Sequence, residues 1–270
     1  MRRLLILPAA FLTLLMHAER ERLTVRTVAA QPGERSPAVL PETPAKDAEP
    51  LLPMLKADPD SKITALSKNG TLFLEVLPND KGRRVHVAAE VCMREGPLEC
   101  LLCKKNTKEH EAIIRTEMDA YLIHAALIAA GAKTGTPVQF VNPKTFEADY
   151  KPATGERVKV LVHYRKGGQT HTHPAQEWIW NFKTKKAMDP DWVFSGSRFV
   201  RDPDRPNDPP YYTANSGEIV SISNSPDATL DLPVEITKDD AQLSFEVKTD
   251  RVPPLLSKVW LILEPTPGKK

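Results

Sequence analysis

Residues 91–111 read VCMREGPLECLLCKKNTKEHE and hold all three cysteines of the chain, Cys92, Cys100 and Cys103, followed by His110 beside Glu111. Thiolate, imidazole and carboxylate are the donors that zinc accepts in a tetrahedron. Cys92, Cys100, Cys103, His110 and Glu111, joined by His124, therefore make a permissible ligand set. Their spacing names no known site, because C-x2-C-x6-H matches no zinc finger and HEAII lacks the second histidine of HExxH. A CxxC redox pair would need Cys100 and Cys103 at a helix start or a turn, whereas on a strand residues three apart face opposite sides. A disulfide is the third chemistry. If Glu95, Gly96 and Pro97 form a three-residue hairpin loop, Cys92 and Cys100 stand opposite each other at bridging distance; a longer loop favours Cys92 with Cys103. Glu111 among apolar neighbours would have its pKa raised and could act as a general base. The plain alternative for KKNTKEHE is a solvated turn, and for the cysteines a set of buried free thiols.

A second group, His163, His171 and His173, flanks the turn KGGQ. If Gly167 and Gly168 alone form the loop, His171 and His173 share the face of Val160, Val162 and Tyr164 while His163 lies opposite; a three-residue loop puts all three on one face. His124, alone in an apolar helix, reads as a core residue bonded to backbone. Trp178, Trp180, Trp192, Tyr211 and Tyr212 are candidate stacking platforms, with core packing as the alternative. The loop at 201–210, RDPDRPNDPP, offers Asp202, Asp204 and Asp208 but lacks the glycine and final glutamate of a calcium loop.

The elements that must position these residues are mostly strands. RVKVLVHY at 157–164 alternates valine and tyrosine with arginine, lysine and histidine, so one face is buried. Further strands are expected at 71–77, 83–93, 98–103, 111–116, 137–140, 170–180, 192–196, 217–223, 243–247 and 259–263. A single helix is predicted, with Asp119 as N-cap, residues 120–130 as its body and Gly131 as its stop. Apart from His124 its body is apolar or tyrosine, so it should pack deep against a sheet face. The expected fold class is mainly β, or α+β, with antiparallel sheets and one buried helix over residues 119–131.

The chain opens MRRLLILPAAFLTLLMHA, two arginines followed by an apolar run too short to span a bilayer, the layout of a secretory signal peptide over residues 1–18. Losing Arg2 and Arg3 with the signal would leave 35 basic against 35 acidic residues, so nucleic acid is excluded as a partner class. Residues 26–59 hold seven of the 25 prolines and show no periodicity, which predicts a disordered, proline-rich tether over residues 19–60. The folded domain is expected over residues 61–265, with a short tail at 266–270.

Five stretches, VCMREGPLE (91–99), TKEHEA (107–112), IHAALIAAGAKTGTPVQF (123–140), WVFSGS (192–197) and GEIVSISNSPDATLDLP (217–233), occur in this order. In that order the chain resembles the YdjY-domain family of exported bacterial proteins, its longer planctomycete-type members above all. The resemblance implies a shared fold over about 61–265 and carries no activity with it. It also implies cysteines at the positions of Cys92 and Cys103, with Cys100 as an addition, and so favours the Cys92–Cys103 disulfide. Some relatives are labelled ferredoxin-like, but three cysteines cannot supply the usual four thiolates of an iron–sulfur cluster. The expectation is an exported binding or accessory module, periplasmic or on the cell surface, acting on a ligand or protein partner. It has no cofactor and no membrane span once the signal is removed. The rival is a metal-dependent hydrolase with zinc, or a thiol redox protein, using Cys92, Cys100, Cys103, His110 and Glu111.

Overall fold

Valine, isoleucine and leucine at alternate positions commit the middle strands to pair with a buried face, and the long strands found are those with the clearest alternation. In the computed structural model the described residues are 51–142, 145–146, 148–236 and 244–266. They fall within one unit, Thr43–Lys270. The expected signal peptide and residues 19–50 of the expected tether lie outside the described residues.

The first half of the chain supplies β1 (Lys62–Ala65), β2 (Leu72–Val76), β3 (Arg83–Val91), β4 (Cys100–Lys104), β5 (Ala112–Thr116), helix α1 (Ala120–Ala129), β6 (Gln139–Val141) and β7 (Ala148–Lys151). The second half begins with β8 (Arg157–Lys166), β9 (Gln169–Pro174), β10 (Ile179–Asn181), β11 (Lys186–Ala187) and β12 (Trp192–Val193). It continues with β13 (Phe199–Val200), β14 (Tyr211–Tyr212), β15 (Glu218–Ser221), β16 (Phe245–Val247) and β17 (Lys258–Thr266). The fold is mainly β with one α-helix among the described residues.

Ten strands form one sheet whose main path runs β12-β8-β17-β3-β5-β4-β15, with β1 on β2, β2 on β3 and β9 on β8. Two long strands are shared along their length. β3 pairs β2 through Arg83–Val87 and β5 through Glu90 and Val91. β8 pairs β12 at its start and β9 from Leu161 onward. On one face of this sheet Val85, Val87, Val91, Val158, Val160, Val162, Val259, Leu261 and Leu263 are all fully buried. Each such side chain contributes about 2 kcal/mol from apolar surface withdrawn from water.

Neither a three-residue loop at Glu95–Pro97 nor a longer one joins β3 and β4 as a hairpin. β5 lies between β3 and β4 and runs parallel to β4, while Leu98 N–H donates to the Phe245 carbonyl and Val247 N–H to that of Gly96. A third strand, invisible to reasoning about neighbours in sequence, wins the hydrogen bonds that a hairpin would have used. The helix also departs from expectation. Ala120, Ile123, Ala126 and Leu127 are buried, but Tyr121, Leu122 and Ile128 are 48%, 41% and 47% exposed, so the helix buries one stripe only. Asp119 stands before it in extended conformation without a side-chain cap bond, because its carboxylate pairs with Lys104. Gly131, with φ of 93°, ends the helix, and Ala132 N–H reaches back to the Leu127 carbonyl.

The other face of the sheet carries Glu75, Arg84, His86, His163, Trp260 and Glu264. Residues 51–61 lie across it as a strap, although their proline content predicts a tether. Trp260 Nε1–H donates to the Pro53 carbonyl at 2.9 Å, His163 Nε2 to that of Met54 at 3.1 Å, and Asp58 N–H to Glu75 Oε1 at 2.8 Å. The Asp58 carboxylate pairs with Arg84 at 3.2 Å. Among the described residues, Pro53, Met54 and Asp58 are thus tied to the fold upstream of the expected domain start at residue 61. Proline lacks a donor but keeps its carbonyl, so a proline-rich segment can still be tied down by donors on the sheet.

Candidate functional site

Cys92 leaves the end of β3 alongside β5, where its N–H donates to the Ile113 carbonyl at 2.9 Å and its thiol to that of Ala112 at 3.1 Å. The three thiols are free; Cys100 and Cys103 are fully buried and share a cluster with Ala112. Strand alternation puts Cys100 and Cys103 on opposite faces, yet they come together where the pairing of β4 with β15 slips register twice. The Cys103 side chain nearby, together with burial, pushes the Cys92 thiol far up. Burial does the same to Cys100. A thiol held in its neutral form is a poor nucleophile and a poor metal ligand.

His110 does not join them. Its side chain is 77% exposed, and its Nε2 lies 3.7 Å from Glu111. Glu111 is instead drawn into an ion cluster built by the seven-residue crossover from β4 to β5. There Lys108 Nζ sits 2.7 Å from Glu111, 2.8 Å from Glu218 and 3.0 Å from Glu99. Burial alone would lower the Lys108 pKa, but the carboxylates of Glu111 and Glu218 raise it above the ordinary lysine range. Burial also raises Glu99, with Lys108 opposing and the other two carboxylates adding to it. The expected general base is therefore a partner of a permanent cation. This network clamps a short parallel crossover.

His124 lies apart from both groups. Its Nδ1 is 2.9 Å from the Tyr212 hydroxyl, whose own proton goes to the Gly196 carbonyl at 3.0 Å, so the imidazole donates. Phe194 packs edge-on against it at 4.9 Å, and burial lowers its pKa. Burial pushes the Tyr212 pKa up to about 12.

The hairpin of β8 and β9 takes the two-residue loop. Gly167 and Gly168 have φ of 61° and 78°, Tyr164 pairs with His171, Val162 with His173 and His163 with Thr172. His163 therefore lies opposite the other two, bonded to Thr172 at 2.8 Å and to the strap. His171 stacks between Tyr164 and His173 at 5.4 and 6.0 Å. Among the described residues no three His, Cys, Asp or Glu side chains are disposed to hold a metal ion. Of the aromatic candidates, Trp178 and Trp192 are buried, Lys248 covers Trp180 at 4.4 Å, and Tyr211 is exposed. Asp202 and Asp208 of the proline-rich loop bracket Arg205.

Sequence reasoning missed a cavity. Where the strap meets the sheet face, a space of about 350 Å³ opens between Leu51, Leu52 and Met118 on its walls and Thr71 and Ala88 on its floor. Glu90 stands at its side between Arg115 and Lys258, and Lys105 pairs with Glu117 nearby. Burial works against the Glu90 carboxylate, but Lys258 and Arg115 hold its pKa below the usual range. The cavity is mostly apolar with cations along one edge, which suits a small molecule having an apolar body and an anionic group.

A family model for the YdjY domain matches residues 76–264, about seven-tenths of the chain. The chain belongs to the YdjY-domain family. No curated protein and no solved structure matches it. The YdjY match begins at the last residue of β2, so the strap, β1 and most of β2 precede it. Leu51, Leu52 and Thr71 nevertheless shape the cavity, and the family motifs of the sequence therefore do not point to it. No described helix is long and apolar enough to cross a membrane.

Proposed function

We propose that this YdjY-domain protein is an exported binding module, acting in the periplasm or at the cell surface, that holds a small ligand between the strap and the open sheet face. The observation that carries this reading is the cavity itself: a ready-formed apolar space with Arg115, Lys258 and Lys105 on its edge. The hydrolase and thiol-redox readings draw no comparable support, since His110 lies in solvent while Cys100 and Cys103 are fully buried. Dodecanoate is a suitable probe because its chain fills the apolar walls and its carboxylate competes with Glu90 for Arg115 and Lys258. Calorimetric titration of the full chain should show saturable binding near one equivalent, abolished by Ala88→Phe, which fills the floor. Absence of saturable binding, or binding indifferent to Ala88→Phe, would remove the cavity from consideration.

The cysteines serve structure in this reading. In an oxidising compartment Cys92 and its neighbour Cys103 would lose two electrons and two protons to a disulfide oxidant and form a bond, leaving Cys100 as a thiol. Closing so short a loop contributes about 3 kcal/mol by the chain-entropy relation. Thiol counting on unreduced, denatured protein from an exporting host should find one free thiol per chain; three would contradict the pairing.

A further inference from the structure

The strap is held by the sheet rather than by its own burial. Of residues 51–60 only Pro53 is buried, while Leu51 and Met54 are 70% and 88% exposed, and none of them belongs to a strand. Four single contacts tie it down: the Trp260 indole to the Pro53 carbonyl, the His163 imidazole to that of Met54, and Asp58 through its N–H to Glu75 and through its carboxylate to Arg84. It ends in a turn, where Ser61 N–H donates to the Asp58 carbonyl at 3.2 Å and Asp60 takes a left-handed φ of 65°. On the face it crosses, Glu75 and His86 are fully buried, and His86 Nδ1 has no partner among the described residues. Lifting the strap would return water to these groups, which offsets part of what the ties contribute. Each tie by itself shifts an equilibrium by only about two- to tenfold, so the closed strap is held by a margin that a ligand can change.

We infer that the strap is a lid on the cavity, and that His163 and Arg84, which hold it closed, control the affinity of a site that neither of them lines. The inference rests on the binding reading above and adds its regulation. Leu51 and Leu52 stand in the cavity wall, directly before the tied residues Pro53 and Met54. An apolar ligand body therefore packs against both leucines only while the ties hold. Binding then favours the closed strap, and by reciprocity a weaker closure lowers ligand affinity. His163 and Arg84 are absent from the cavity lining, so a change in affinity on replacing them cannot come from a lost ligand contact.

The test uses the full chain, dodecanoate as the probe, and trypsin cleavage between Lys56 and Ala57 followed by mass. Both tie residues lie outside the strap, so replacing them leaves the cleavage site itself unchanged. His163→Leu and Arg84→Gln should each speed cleavage without ligand and weaken dodecanoate binding by about threefold or more. His163→Gln, which keeps an N–H for the Met54 carbonyl, should restore most of both. Saturating dodecanoate should slow cleavage of the wild-type chain by about threefold or more. Arg84 is partly exposed, so its variant still reads the coupling if His163→Leu does not fold. The inference alone is overturned if dodecanoate binds but leaves cleavage at Lys56 unchanged, or if the folded variants bind it as the wild type does. If dodecanoate does not bind the wild-type chain at all, the binding reading fails and the lid falls with it.

Discussion

Lys108 is a single ammonium shared by three carboxylates at the point where the chain crosses from β4 to the parallel β5. A crossover this short brings like charges together, and the lysine is what makes that arrangement tolerable. Lys108→Met should therefore cost about 2 kcal/mol at neutral pH, a value reduced from that of a fully buried pair because the network is partly solvated. The penalty should shrink as pH falls, since protonation of Glu99, already raised above the ordinary range, relieves the repulsion. Urea denaturation of both proteins at pH 7 and pH 5 measures the difference, and a penalty that grows in acid would contradict the network. None of this was legible in the sequence, where KKNTKEHE reads as a solvated turn. Glu218 lies more than a hundred residues from Lys108, and only the sheet brings them together. What residue-level reasoning did reach was conditional: a two-residue loop at Gly167 and Gly168 places His163 opposite His171 and His173, and that is the register observed.

The β8–β9 hairpin shows why some elements are readable. Alternating valines mark the buried face, two glycines mark the turn, and both signals are local. Gly167→Ala and Gly168→Ala should each cost about 1–2 kcal/mol, the price of left-handed backbone for a residue with a Cβ, because nothing lies within 4 Å to add a clash. Thermal unfolding of the two variants checks this; a loss well above that range would mean that the turn carries a contact beyond its backbone. The order of β3, β5 and β4 was not readable, because β5 enters between strands that its sequence neighbours would have joined. The strap was unreadable for a different reason. Its composition argues for a tether, and what holds it down, Trp260, His163, Glu75 and Arg84, comes from residues far along the chain.

The molecule as a whole buries imidazoles without charging them. Burial lowers the pKa of His86, His163 and His124, and His86 additionally has no partner at Nδ1 among the described residues. Above about pH 6.5 these groups are neutral in both folded and unfolded chains and make no difference; below it the unfolded chain takes up protons that the folded chain resists. Stability should decline from pH 7 to pH 5. A further decline should set in below about pH 4.5, where the unfolded chain protonates Glu75 and Glu90 while the fold, which depresses their pKa values, still holds them ionised. A denaturation midpoint that rises between pH 7 and pH 5 would contradict the assignment. The fold class could be read from the sequence because strand alternation is plain along most of the chain. The cavity could not, because one wall is the strap and the other is the sheet face opposite the main core. The central claim is that this cavity takes the ligand, and hydrogen exchange across the full chain with and without saturating dodecanoate tests it most directly. Added protection should appear in residues 51–58 and at Ala88–Glu90, with residues 98–111 unchanged. Protection confined to 98–111 would return the cysteine segment to the centre of the chemistry, and no change anywhere would contradict the binding account.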